Sequence, residues 1–167
     1  MKMLRCLLLL LVLQLAGCQQ KEKFTFPAEG VKISAVESAF RVGYSMLEKH
    51  DKLYMAYYDS IHQMTLAVFD LKTGRCEYEV LPSKIGWDSH NYVTMAFDKE
   101  GYLHVSGNMH AVPLIYFRST EPYNIHAMEK VEQMTGVDEK WVTYPVFMES
   151  PEGELLFHYR TGGSGNG

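Results

Sequence analysis

Cysteine is scarce: Cys6, Cys18 and Cys76 are the only three in 167 residues. With two of them near the N-terminus, no internal disulfide framework can form in the body of the chain. Neither the Cys-x-x-Cys nor the His-Glu-x-x-His spacing occurs, so the common zinc signatures are missing. There is no excess of positive charge. Sixteen Lys and Arg against twenty Asp and Glu leave a net charge of −4, which gives no basic field for nucleic acid. Long helical patterns are also missing. After residue 24 no segment keeps a 3.6-residue apolar period over three turns, and residues 125–135 are the best short helix candidate. The glycine-rich run 162–167 lacks the Lys and the following helix of a phosphate loop. A linker is the other reading of this run. What remains is ordinary globular composition, 47% hydrophobic and 22% charged, which excludes disorder for the bulk of the chain.

The N-terminus reads as a leader. Lys2 and Arg5 precede an apolar core from Leu7 to Leu13, followed by Leu15-Ala16-Gly17-Cys18. The apolar core is too short to span a bilayer as an ordinary helix. Leu15-Ala16-Gly17-Cys18 resembles a bacterial lipobox, in which the cysteine is acylated and becomes the new N-terminus. The alternative is an ordinary signal peptide with an incidental cysteine. The resulting expectation is a leader over 1–17, lipidation at Cys18, a polar tether over 18–29 and a folded domain over 30–167. It places the protein outside the cytoplasm, as a membrane-anchored lipoprotein or in the periplasm. Cys76 reads as a small buried apolar residue.

The remainder reads as strands. Runs rich in β-branched and aromatic residues occupy 52–58, 64–69 and 75–80. Two hairpins follow: 93–97 and 102–108 around the turn 98–101, then 145–149 and 154–160 around the turn 150–153. Gly101 and Gly153 end equivalent turns 52 residues apart, and 51–55 lies about one period earlier. A period near 50 built from short antiparallel strands predicts an all-β fold, a β-propeller of four-stranded antiparallel blades. A β-sandwich with similar hairpins is the alternative. The ~150 residues after the leader amount to about three blades, whereas propellers close with about four to eight. The chain is therefore expected to be part of a longer propeller.

In an antiparallel hairpin the start of one strand faces the end of the next. His90 and Asn91 then face the region of Asn108 to His110, and Tyr144 faces the region of Tyr159 and Arg160. His90, His110, Tyr144 and Arg160 are expected to converge at the end of the hairpins away from the turns. Each also has a structural reading, as a satisfied strand-end histidine, a core aromatic or a capping arginine. His50, His62, His104, His126 and His158 lie at or within elements and are weaker candidates.

Two stretches carry a resemblance. Ser89-His90-Asn91-Tyr92 precedes Asp98-Lys99-Glu100-Gly101-Tyr102-Leu103-His104-Val105-Ser106-Gly107-Asn108-Met109-His110. Val142-Thr143-Tyr144-Pro145 precedes Leu155-Leu156-Phe157-His158-Tyr159-Arg160-Thr161. Together they resemble the BNR-repeat propeller family that includes the ulvan lyases, over residues 30–167. The resemblance implies the N-terminal part of a seven-bladed propeller and β-elimination on a sulfated polysaccharide that contains uronate. It implies His90 and Tyr144 as the acid/base pair, and His110 and Arg160 as the residues that bind or neutralise the carboxylate. Asn91 and Asn108 would be supporting contacts, and no metal or other cofactor would be needed.

These residue types suit that chemistry. Removing the C5 proton of a uronate pushes charge onto its carboxylate, which cations and hydrogen-bond donors must stabilise. Arginine offers a permanent charge and a planar fork, and histidine can act as acid or base near neutrality. The Ser-x-Asp-x-Gly-x-x-Trp box of sialidases is missing, and no Asp/Glu pair occupies comparable positions, which argues against a glycosidase. The rival readings are a non-catalytic carbohydrate-binding propeller lipoprotein and an inactive gene fragment.

Overall fold

The structure is a computed structural model that describes residues 24–39 and 41–165. Cys6, Cys18 and the rest of the expected leader lie outside the described residues. Within the stretch 18–29 expected as a tether, Phe24 and Phe26 pack their rings 5.6 and 5.7 Å from that of Phe69. The N–H of Phe24 donates to the carbonyl of Lys72.

The described chain forms strands β1 (Ser45–Lys49), β2 (Lys52–Tyr58), β3 (Gln63–Asp70), β4 (Cys76–Lys84), β5 (Val93–Phe97) and β6 (Leu103–Gly107). They are followed by β7 (His110–Val112), β8 (Tyr116–Ser119), β9 (Met128–Lys130), β10 (Val142–Glu149) and β11 (Leu155–Thr161). Every pairing is antiparallel. The first sheet runs β1-β2-β3-β4, the second β5-β6-β8-β9 and the third β11-β10-β7. The expected all-β class is what the structure shows, with two antiparallel sheets of four strands and one of three among the described residues. Hairpins β1–β2, β5–β6 and β10–β11 each form one edge of their sheet, and this is the recurrence read as a 50-residue period.

Turn chemistry explains the hairpins. At 98–101 the Asp98 carboxylate accepts the N–H of Tyr102 at 2.8 Å, and the N–H of Gly101 donates to the Asp98 carbonyl. At 150–153 the Ser150 hydroxyl accepts the N–H of Glu154, and Gly153 donates to the Ser150 carbonyl. The same bonds recur between β2 and β3, where Asp59 caps Gln63 and accepts from His62. The fourth residue of each turn is left-handed, with φ of 66° at His62, 88° at Gly101 and 76° at Gly153. Glycine adopts that conformation without a Cβ penalty, so two of the three turns could be read from sequence and the third could not.

Alternating side chains build two cores. Tyr54, Leu66, Val105 and Phe117 bury between the first and second sheets. Met109, Leu114, Tyr116 and Val142 bury beside the third. Truncating a wholly buried aromatic such as Phe117 to alanine costs about 3–5 kcal/mol.

The helix expected over 125–135 is not there, and no helix occurs among the described residues. Residues 128–130 form β9, whose Met128, Glu129 and Lys130 pair with Ser119, Arg118 and Phe117. Ile125, Met128, Val131 and Met134 recur every three residues, which imitates a helix face. They instead divide between two cores, Ile125 and Met128 in the first, Val131 and Met134 in the second. The N–H groups of Met134 and Thr135 donate to the Glu139 carboxylate, not to helical carbonyls.

Candidate active site

Three segments come together where β6 hands over to β7. The loop before β5 holds Asp88, His90 and Asn91. Asp88 makes a side-chain-capped turn of the kind Asp favours: its Oδ1 accepts the backbone N–H of His90 at 2.9 Å, and its carbonyl accepts the N–H of Asn91. Beyond β6 the chain leaves the second sheet and joins the third. Asn108 and Ala111 take φ of 59° and 51° to make that step. It sets His110 opposite Thr143 of β10, and the buried Thr143 hydroxyl accepts the Ala111 N–H at 2.7 Å.

Tyr144 owes its position to its neighbour. Pro145 has no N–H for the ladder, and proline inside a sheet is confined to edges and bulges. The register of β10 against β11 shifts between Thr143 and Val146. Tyr144 takes φ of 58° and leaves its side chain partly exposed, while Pro145 is buried. Opposite Thr143 stands Arg160 of β11, whose guanidinium carbon lies 5.0 Å from the Tyr144 ring centre. That is cation–π distance.

The four expected residues therefore meet. The His90 and His110 ring centres are 4.3 Å apart with the planes tilted by 31°, and the Tyr144 ring centre is 5.8 Å from that of His90. Asn91 and Asn108 stand just behind. The Asn91 amide donates to Asn108 Oδ1 at 3.3 Å, and Asn108 donates to Ser83 Oγ and the Lys84 carbonyl at the end of β4. Two buried polar atoms here lack a hydrogen-bond partner, Asn91 Oδ1 and Arg160 Nε. An orphaned polar atom is costly unless a ligand or water serves it.

Asp88 was not among the expected residues. Its Oδ1 lies 2.6 Å from His90 Nδ1 and its Oδ2 lies 2.5 Å from His110 Nδ1. The backbone N–H of His90, the His110 ring and the His90 ring hold this carboxyl well below the usual carboxylate range. The available signal was local: an Asp two residues before a His is a turn-capping arrangement, and Asp88 adjoins the stretch that carries the resemblance.

Asp88, His90 and His110 are also the set, among the described residues, whose donor atoms lie within 4.8 Å of one another as metal ligands would. A tetrahedral zinc ion with bonds of about 2.0–2.1 Å holds its ligands roughly 3.3 Å apart. Here the ring nitrogens touch the carboxylate at hydrogen-bond length, and the donors satisfy each other. A metal would require them to part.

A cavity of about 990 Å³ opens beside the cluster, bounded by Asp88, Asn91, Asn108 and His110 on one side and by Lys140 and Trp141 on the other. It has room for more than one sugar ring. Trp141 is 60% exposed and offers a flat apolar face. His90, Tyr144 and Arg160 lie outside this lining, on the adjoining surface. Two of the weaker candidates are engaged elsewhere. His104 bonds to Asp98 and the Tyr116 hydroxyl, and His126 meets Glu77 and Glu79.

A family model described as "BNR repeat-containing family member" matches residues 52–167. The chain belongs to the BNR repeat-containing family. No curated protein sequence matches it significantly. Among solved structures it is similar to polysaccharide lyase Uly1, with a TM-score of 0.63 and 18% identity over 85% of this chain and 41% of that one. It is also similar to a PL25 ulvan lyase, with a TM-score of 0.57 and 19% identity over 71% of this chain and 31% of that one. A structure of a PL25 ulvan lyase bound to -[GlcA(1-4)Rha3S]- gives a TM-score of 0.56 with the same identity and coverage. The chain thus spans less than half the length of these proteins, and the likeness is one of fold.

Proposed function

We propose that this chain is part of a polysaccharide lyase that cleaves a uronate-containing, sulfated polysaccharide by β-elimination. The observation that carries the reading is the meeting of His90, His110, Tyr144 and Arg160, delivered by a loop, β7, a bulge in β10 and β11 to one patch of surface. One of the similar structures is a lyase holding an acidic, sulfated disaccharide unit, which supports the substrate class. In this reading the three sheets are blades of a seven-bladed propeller. Cys18 carries a lipid that anchors the exported protein to a membrane, with 18–29 as the tether and 30–167 as propeller.

The reaction breaks the C5–H and C4–O bonds of the uronate. The C5–H electron pair becomes the C4–C5 double bond, and the leaving oxygen takes a proton. His90 and Tyr144 are the acid/base pair. Arg160 and His110 neutralise the carboxylate as negative charge builds on it, and Asn91 and Asn108 support the bound sugar. The Arg160 guanidinium, 5.0 Å from the Tyr144 ring centre, is the cation placed beside the acid/base pair.

A binding module without catalysis is the second reading, favoured by the exposed indoles of Trp87 and Trp141. Tyr144→Phe separates the two. On an ulvan-type substrate the lyase reading expects unsaturated uronate products from the parent protein and a loss of at least about 100-fold in turnover, with binding retained. Binding by the parent with no product, or full activity in the variant, overturns the assigned chemistry.

A further inference from the structure

We propose that Asp88 is the positioning residue of this site, a single carboxylate that holds the Nδ1–H of both His90 and His110 and so turns the Nε2 atoms of both rings over to the substrate. Its consequence for turnover rests on the lyase reading; the tautomers themselves do not.

The geometry assigns one carboxylate oxygen to each ring. Oδ1 takes His90, through both the backbone N–H at 2.9 Å and Nδ1 at 2.6 Å. Oδ2 takes His110 Nδ1 at 2.5 Å. An ionised carboxylate only accepts hydrogen bonds, and a neutral imidazole has a single N–H. Each ring must therefore place that N–H on Nδ1, against the preference of free histidine for Nε2. The carboxyl is held ionised by the bonds it receives.

The arrangement divides the labour between the rings. In the Nδ1–H form, Nε2 of His90 has only a lone pair, so His90 is the member of the acid/base pair able to accept the C5 proton. The Tyr144 hydroxyl is the member able to donate to the leaving oxygen. His110 faces the uronate carboxylate favourably only with a proton added at Nε2. With ring centres 4.3 Å apart, two imidazolium ions would repel. One carboxylate between them offsets one positive charge. When His90 takes the C5 proton, Asp88 is already bonded to the imidazolium that forms. The Asp of a Ser-His-Asp triad has the same function, here shared across two rings.

The test is nitrogen NMR of the full chain labelled at histidine. It is run near pH 8.5, about two units above the ordinary imidazole value of about 6.5, alongside turnover. In the parent, His90 and His110 are expected in the Nδ1–H form. Asp88→Asn keeps the shape, but its amide nitrogen cannot accept, so one of the two rings should switch to Nε2–H. Turnover should then fall by about 10³- to 10⁴-fold, as when the Asp of a triad becomes Asn, with KM changed less than about threefold. Asp88→Glu should restore the Nδ1–H forms and part of kcat. His110→Gln should leave His90 as Nδ1–H, and it decides the matter if the Asn variant does not fold.

Tautomers unmoved in Asp88→Asn overturn the proposal, as does a switch of His90 in His110→Gln. So does stoichiometric zinc uptake by the parent with both Nδ1 atoms bound to metal. If the tautomers move as stated but the parent eliminates no uronate, the hold of Asp88 stands and it is the lyase reading that fails.

Discussion

The hydroxyl of Tyr58 donates to the carbonyl of Asn91 across 2.8 Å, and so ties the loop that carries His90 to the last residue of β2. Tyr58 is 6% exposed, and burial pushes its phenol far above the usual tyrosine range. It remains a neutral donor at any working pH. Tyr58→Phe keeps the ring but strips the Asn91 carbonyl of its partner. A loss of about 1–2 kcal/mol of unfolding free energy is expected, read from the denaturant midpoint. Turnover should fall more than binding, because Asn91 is next to His90. A midpoint and a kcat equal to the parent's would show that the loop is held by something else.

Gly107 ends β6 opposite Val93, where the chain prepares to cross between sheets. A Cβ there would lie 2.7 Å from the Tyr92 carbonyl oxygen and 2.9 Å from the Val93 Cα. Both are backbone atoms of the neighbouring strand and its entry, so no side-chain rotation relieves the contact. Gly107→Ala should cost about 1–3 kcal/mol and push His90 and His110 apart. Adding Tyr58→Phe, which removes the third close atom, should not rescue it. Stability recovered in the double variant would mean the close approach is to the hydroxyl alone.

The pair Asp98 and His104 makes stability depend on pH with a definite sign. Burial lowers the affinity of His104 for a proton, and the Asp98 carboxylate only partly offsets this, so its folded value lies below the ordinary one. Burial pushes Asp98 the other way, but bonds from the His104 ring, the Tyr102 N–H and Arg118 outweigh it, and its folded value is also lowered. In both cases the unfolded chain binds the proton more readily. Stability is then complete above the unfolded values and declines as pH falls. The His104 limb begins near pH 6.5 and the Asp98 limb near pH 4. Melting temperature should fall as pH drops from about 7 to 5, and His104→Gln should flatten that part of the curve. A parent curve flat over this range would remove His104 as its source.

How much of this was legible depended on how local the determinants are. The turns at Asp98–Gly101 and Ser150–Gly153 lie in four consecutive residues whose capping groups and glycines announce them. The facing of His90 by His110, and of Tyr144 by Arg160, follows from counting back along each hairpin. The crossing of β7 into the third sheet could not be read. Three residues carry no period, and their partner Thr143 is over thirty residues away. Residues 125–135 misled because two cores on either side of one segment produce the spacing of a helix. Nothing in the spacing marks Asp88, because its role depends on where two rings point.

Tyr144 combines the candidate chemistry with a left-handed backbone, φ 58°, a conformation costly for a residue with a Cβ. It also stands before a proline that breaks the ladder. Strain of this kind at a working residue costs stability that the rest of the fold must supply. It can be measured by comparing two truncations that both remove the phenol. In an ordinary strand glycine is less stable than alanine by about 0.5–1 kcal/mol. At position 144 the order should reverse, with Tyr144→Gly more stable than Tyr144→Ala by about 1 kcal/mol. Both should lack elimination activity, since neither keeps the hydroxyl. The usual order in urea unfolding would mean that the bulge relaxes and that Tyr144 is not held against its backbone preference. Its aim toward His90 would then have to come from Arg160 alone.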